Sequence, residues 1–514
     1  DINVAAGNST IDTNGLDATL SGSLSGEGAL RKTGLGTLHL SGDNSLTTSL
    51  HIEGGGVSQT AGASSINYLA VGTGSGNTGS YTMAGGTLDV NQGIQVGDFG
   101  GSGTFNQTGG SITLGQSIPN YLNIGNQGGS GVFNLSGGSF EIANGFLNLG
   151  RSTQATAGTG ELNISGTAEL TIGDLADLII GDRDGAGADG AGTVNQTGGT
   201  VRVQGNGELW VGAHGAGTYN LDGGRLEIGG AALKKNYQST AGSTFNLGGG
   251  TIAVTGSALT TDVRLKLTDG TTSTIDTASF GATVDGFSGT GHLSKTGNSN
   301  LAIATDSTLG DLSVGEGTVT TSAAVTVNDL HMEVNTTFSG SGFLQVQGTF
   351  TGSGAIAIDT RITGTLAVGN SPGTMTVSSD MTIATGGAFE FDLTGNAAGT
   401  AGTTFDQITL SLGTFTMEDG SAFAILFDDV DFAASFWGMD QSWLVVDGDG
   451  TGDISLGDVI LAGSQNHSPY GSFGLGADGD DMTLFWTPVP EPGPAVLLIA
   501  ALAPLAAQRR RRNG

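Results

Sequence analysis

The sequence predicts an all-β chain: a right-handed parallel β-helix, closed by a β-rich C-terminal cap and ending in a short hydrophobic helix. Three observations carry this prediction. Glycine is abundant and proline scarce, with 95 and 8 among 514 residues. A glycine-marked pattern recurs through the first half at a near-regular interval. Apolar and polar residues alternate in short runs, and no helical period is visible.

The composition sets the outer limits. Charged residues make up only 12% and apolar residues 37%, whereas disordered chains combine high charge with few apolar groups. The net charge is −31, and no Lys or Arg lies between Arg361 and Arg509. Such a surface repels phosphate, so no nucleic-acid partner is expected. Cysteine is absent, which removes disulfides and thiolate metal sites. The chain opens on Asp1 with no charged and apolar leader regions visible, so the expectation is either that a leader has been removed or that the sequence is a fragment.

The first repeat has a strand ending in Val-Gly or Ile-Gly, a loop, then Thr, an aromatic or apolar residue, Asn, and a Gly-Gly pair before the next strand. Clear copies are "VGDFGGSGTFNQTGGSITL" from Val96, "IGNQGGSGVFNLSGGSFEI" from Ile124 and "VGAHGAGTYNLDGGRLEI" from Val211. The glycine pairs begin at Gly85, Gly109, Gly137, Gly198, Gly223 and Gly249, with Gly166 in a degenerate copy, so the spacing is 24 to 32 residues. A propeller blade needs about 40 to 45 residues, so one solenoid coil per repeat fits better. Phe105, Phe133, Val194, Tyr219 and Phe245 are then expected to point inward and stack, with Leu135, Ile164, Leu221 and Leu247 on the same face. Asn106, Asn134, Asn163, Asn195, Asn220 and Asn246 share one position and are expected to form an amide ladder across coils. A single coil offers three or four inward side chains at roughly 1.5–3 kcal/mol each. Ordering each residue costs about 1–2 kcal/mol, so only stacked coils are stable.

A second repeat occurs twice, as "GEGALRKTGLGTLHL" from Gly26 and "GTGHLSKTGNSNLAI" from Gly289. Over about thirty residues at each place it resembles the autotransporter-associated β-strand repeat. That resemblance implies a surface-exposed parallel β-helix. No run after Phe405 resembles the membrane β-barrel with which autotransporters end.

The C-terminus carries Pro490, Glu491 and Pro492, an apolar segment from Ala495 to Ala507, and Arg509, Arg510, Arg511 and Arg512. Together these resemble the PEP-CTERM sorting signal of bacteria. The resemblance implies export to the cell envelope, processing by an exosortase-type enzyme, and surface attachment or release in company with exopolysaccharide. The apolar run is shorter than the 18 or more residues of a full span. Its arginines match the positive-inside rule, so transient membrane contact through the tail is expected.

The expected organisation is a β-helix with Gly-Gly/Asn repeats over 1–256, a continuing β-helix with autotransporter-type repeats over 257–400, a cap over 401–487 and the sorting tail over 488–514. No catalytic residue emerges: the six histidines are scattered, and no carboxylate pair stands out. "VVDGDGTGDISLGDVI" has near-EF-hand spacing, making Asp447, Asp449, Thr451, Asp453 and Asp458 the candidate calcium ligands. Its flanks read as strands, and a solvated turn is the competing reading. No other cofactor is expected. "GDRDGAGADG" from Gly181 reads as a solvated loop, and Phe427, Phe432, Phe436, Trp437, Trp443 and Trp486 as a small terminal core. The functional expectation is an exported structural or adhesin-like surface protein, with polysaccharide binding or degradation as the alternative.

Overall fold

A computed structural model describes residues 1–115, 120–152, 156–183, 187–236, 242–369, 372–463 and 467–490. The chain is all-β. Its one helical element among the described residues is a single 3-10 turn at Ser435–Gly438. The chain divides into two compact units, Asp1–Leu344 and Gln345–Gly514.

In the first unit, strands pair in parallel with strands one coil further on, as expected of a parallel β-helix. The repeat places three strand segments in each coil. Thr78–Met83 pairs with Ser102–Gln107, which pairs with Ser130–Leu135. After the Gly-Gly corner, Ser111–Leu114 pairs with the start of Ser139–Arg151. Beyond a second bend, Asn120–Asn126 pairs with the end of Ser139–Arg151. Coil length varies without loss of register. Consecutive ladder asparagines lie 28, 29, 32, 25 and 26 residues apart. The N-terminal coils step by 20 residues, as Leu24, Asn44 and Ser64 show.

Alternation explains which side chains enter the core. Phe105, Phe133, Val194, Tyr219 and Phe245 are fully buried, as are Leu135, Ile164, Leu221 and Leu247. The rings of Phe105 and Phe133 stack at 4.5 Å, and those of Tyr219 and Phe245 at 4.9 Å. Leu162 and Val194 fill the same column between them. The expected asparagine ladder is present: side-chain amide bonds of 2.7–2.9 Å run from Asn106 through Asn134, Asn163, Asn195 and Asn220 to Asn246.

The Gly-Gly corners follow from backbone geometry. The second glycine has φ of +76° at Gly110 and +80° at Gly138, a region that L side chains rarely occupy. At Gly125 a Cβ would lie 1.7 Å from the Thr159 carbonyl, so the backbones of adjacent segments can meet only at a glycine.

In the second unit, Ala388–Thr394 pairs in parallel with Ala422–Asp428 over seven residues. Two further parallel series run from Thr374–Val377 and from Met381–Ile383. The described chain then turns antiparallel: Gly471–Asp478 pairs with Asp481–Pro488, which also pairs with Gln441–Asp447. The aromatic residues near the end form the expected core. Trp437, Trp443 and Trp486 are each 1% exposed, and Phe432, Phe473 and His467 pack among them. Buried Asp406 ties this unit together, accepting 2.7 Å bonds from the backbone N–H groups of Gly373 and Asp392.

Candidate functional site

The Lys-Thr-Gly repeat resolves into a buried clamp. Lys32 and Lys295 are both fully buried. Lys32 Nζ donates to the carbonyls of Thr33, Gly34 and Gly54 at 2.9–3.0 Å. Lys295 Nζ donates to Thr277 Oγ1 at 2.9 Å, to the carbonyls of Thr296 and Glu316, and to that of Gly297. Burial lowers the pKa of both ammonium groups, that of Lys295 to about 8. One coil earlier, Thr13 and Thr277 are buried beneath these turns and donate to their carbonyls. The signal for this was present: the identical pentapeptide STIDT occurs at Ser9–Thr13 and Ser273–Thr277, one coil before each lysine. The motif therefore closes a turn from inside, with its lysines fully buried.

The expected calcium loop is not brought together. Asp449 N–H donates to Asp447 Oδ1, and Asp449 itself has φ of +47°. The Thr451 hydroxyl turns away to the Ser411 carbonyl. Asp453 enters a strand opposite Thr414, and Asp458 N–H bonds to Asp419. The loop's flanks are strands, and its backbone and the Thr451 hydroxyl bond to several neighbouring segments. Among the described residues, no group of three or more His, Asp or Glu side chains could hold a metal ion. Pro490 is exposed. Glu491, Pro492, Arg509, Arg510, Arg511, Arg512 and the expected hydrophobic helix lie outside the described residues. No helix among the described residues is long and apolar enough to cross a membrane.

The most site-like surface is one that the sequence did not single out. It lies on the outer face of the third strand series, from Asn120–Asn126 to Leu233–Lys234. Register places Tyr121, Phe146, Asp177 and Glu208 in one column, and Asn123, Asn148, Ile179, Trp210 and Lys234 in the next. Two clefts of about 640 and 380 Å³ open along this face and share Ile179 and Asp182. Asp182 is 8% exposed, not the solvated loop residue expected. It accepts from Arg151 Nε at 3.2 Å and contacts His214 Nδ1 at 3.1 Å, so one carboxylate joins three coils. Glu208 accepts from Trp210 Nε1 at 2.8 Å and pairs with Lys234, whose ammonium lies 5.3 Å from the Trp210 ring centre. Burial raises the pKa of Asp177. Tyr121 and Phe146 are 36% and 43% exposed.

No family model matches the chain, and no curated protein matches it.

Proposed function

We propose that this protein is an exported structural component of a bacterial cell surface or extracellular matrix, with adhesin-like character. The observation that supports this best is how the repeated polar positions are used. The ladder asparagines bond to one another, and the motif lysines bond to their own turns. Residues committed to holding coils together are what a scaffold requires, and an enzyme would break its repeat around a reactive centre. We take the coils to be right-handed, the hand that parallel strand crossovers strongly prefer. The antiparallel strands after Gln441 serve as the cap, since an open parallel edge invites aggregation.

The C-terminal resemblance supports export, exosortase-type processing and a membrane-held precursor. Mass spectrometry of the C-terminus from envelope and medium tests this. The mature protein should lack Arg509–Arg512 in both fractions. An intact arginine block in every fraction would remove the sorting reading. Depolymerisation assays on neutral and acidic polysaccharides address catalysis separately, and sustained turnover would overturn the structural role.

A further inference from the structure

The face built from Tyr121, Phe146, Arg151, Asp182, Trp210 and Lys234 has a composition unlike the rest of the chain. Acidic residues outnumber Lys and Arg by 47 to 16 overall. On this face the charges come close to balance. Arg151 pairs with Asp182, Arg183 with Asp189, and Lys234 with Glu208, while Lys235 and Asp262 both line the larger cleft. Four cations thus stand with five carboxylates, Asp177 of the same face being the fifth, and half-exposed aromatic rings lie among them.

That combination selects a class of ligand. An anionic polymer would meet the field of a chain carrying −31 charges and would have to displace carboxylates from their partners. A neutral polyol can donate to a carboxylate and accept from its cation without breaking the pair. The aromatic faces of Tyr121, Phe146 and Trp210 can pack against the C–H faces of sugar rings. The clefts adjoin, and the five strands beneath them are successive neighbours. Four spacings of about 4.8 Å give roughly 19 Å of continuous surface, long enough for several linked rings.

We propose that this groove binds a neutral polysaccharide chain laid along the stacking direction of the coils. The proposal goes beyond the scaffold reading and does not depend on C-terminal processing, so the two can fail separately.

Trp210 offers a direct probe. The other three tryptophans are each 1% exposed, whereas Trp210 is half-buried. Titrating the full chain with cellohexaose, laminarihexaose and xylohexaose should shift its emission for at least one of them. That affinity should change little between about 50 and 500 mM NaCl. Trp210→Ala, followed by calorimetry, and a Tyr121→Ala/Phe146→Ala double variant should each weaken binding by about tenfold or more. All of these side chains lie on the outer face, so thermal melts should stay close to the parent's. If no neutral hexasaccharide binds, or if an alginate hexasaccharide binds instead with strong salt dependence, the proposal is overturned. Unchanged affinity in both variants would also overturn it.

Discussion

The hydroxyl of Tyr219 donates to Gln196 Oε1 at 2.6 Å, from one coil to the coil before it, with both side chains fully buried. Tyr81 makes the same 2.6 Å bond to Gln59. Each glutamine amide nitrogen also donates to two backbone carbonyls. A buried polar pair is thereby satisfied inside an otherwise apolar interior.

A third buried glutamine lacks this partner. Gln107 occupies the equivalent place, but Phe133 stands where a tyrosine would reach it, and Gln107 Oε1 has no hydrogen bond among the described residues. Phe133→Tyr should therefore stabilise the first unit by about 1 kcal/mol. Tyr219→Phe should cost about 1–3 kcal/mol by orphaning Gln196. Urea unfolding midpoints of both variants against the parent would check the opposite signs.

Removing a clamp lysine should be far more damaging than its solvated chemistry implies. Lys295→Met removes the ammonium donor from the Thr277 hydroxyl and from three carbonyls, of which those of Thr296 and Gly297 keep the Thr277 hydroxyl as a donor. Each charge-assisted bond is worth about 1.5–3 kcal/mol, so a loss of at least about 3 kcal/mol is expected. Hydrogen exchange should localise it to the turns around Gly297 and Glu316.

The same lysine confers a pH dependence of known sign. Its pKa is about 8 when folded, against an ordinary 10.5. Between those values the unfolded chain binds more protons, so stability from this group rises with pH. Parent minus Lys295→Met, measured by denaturant titration from about pH 8 to 10.5, should climb. A flat or falling difference would contradict the assignment.

Asp406 should act in the opposite direction. Burial raises its pKa to about 7 from an ordinary 3.8. Its contribution is fully present below about 3.8 and is lost as pH rises through about 7. The parent should therefore lose stability relative to Asp406→Asn across that window, read from unfolding of the second unit.

The asparagine ladder should be worth less than the core behind it. Asn163→Ala breaks bonds to Asn134 and Asn195, but these residues are half-buried and water can replace part of what is lost. A cost of about 1–2 kcal/mol follows, against about 3–5 kcal/mol for Phe133→Ala. Equal costs in chemical denaturation would mean that the amides are more sheltered than their exposure indicates.

Positions that repeat were readable before any coordinates. The inward column through Phe105 and Tyr219, the amides at Asn134 and Asn163, and the Gly-Gly corners all follow from alternation and period. The clamp was missed because lysine is usually solvated, although alternation sets Lys32 on the buried face of Leu30. Only the turn carbonyls brought in by the next coil, such as that of Gly54, make its position tolerable. The groove was missed for another reason. Arg151, Asp182 and His214 are 31 and 32 residues apart and belong to no repeated pattern. Their meeting depends on how loops of unequal length set the register. The calcium spacing from Asp447 to Asp458 is a match of linear order, and in the fold the backbone of its residues pairs with different neighbours.

The amide column also has a polarity. Asn246 donates to Asn220, Asn220 to Asn195, Asn195 to Asn163, Asn163 to Asn134 and Asn134 to Asn106, so every carboxamide dipole is aligned alike. Turning any one of them over would set oxygen against oxygen on one side and nitrogen against nitrogen on the other. Six side chains on six coils therefore make a single orientational choice, and an error at one rung is felt as frustration by its neighbours above and below.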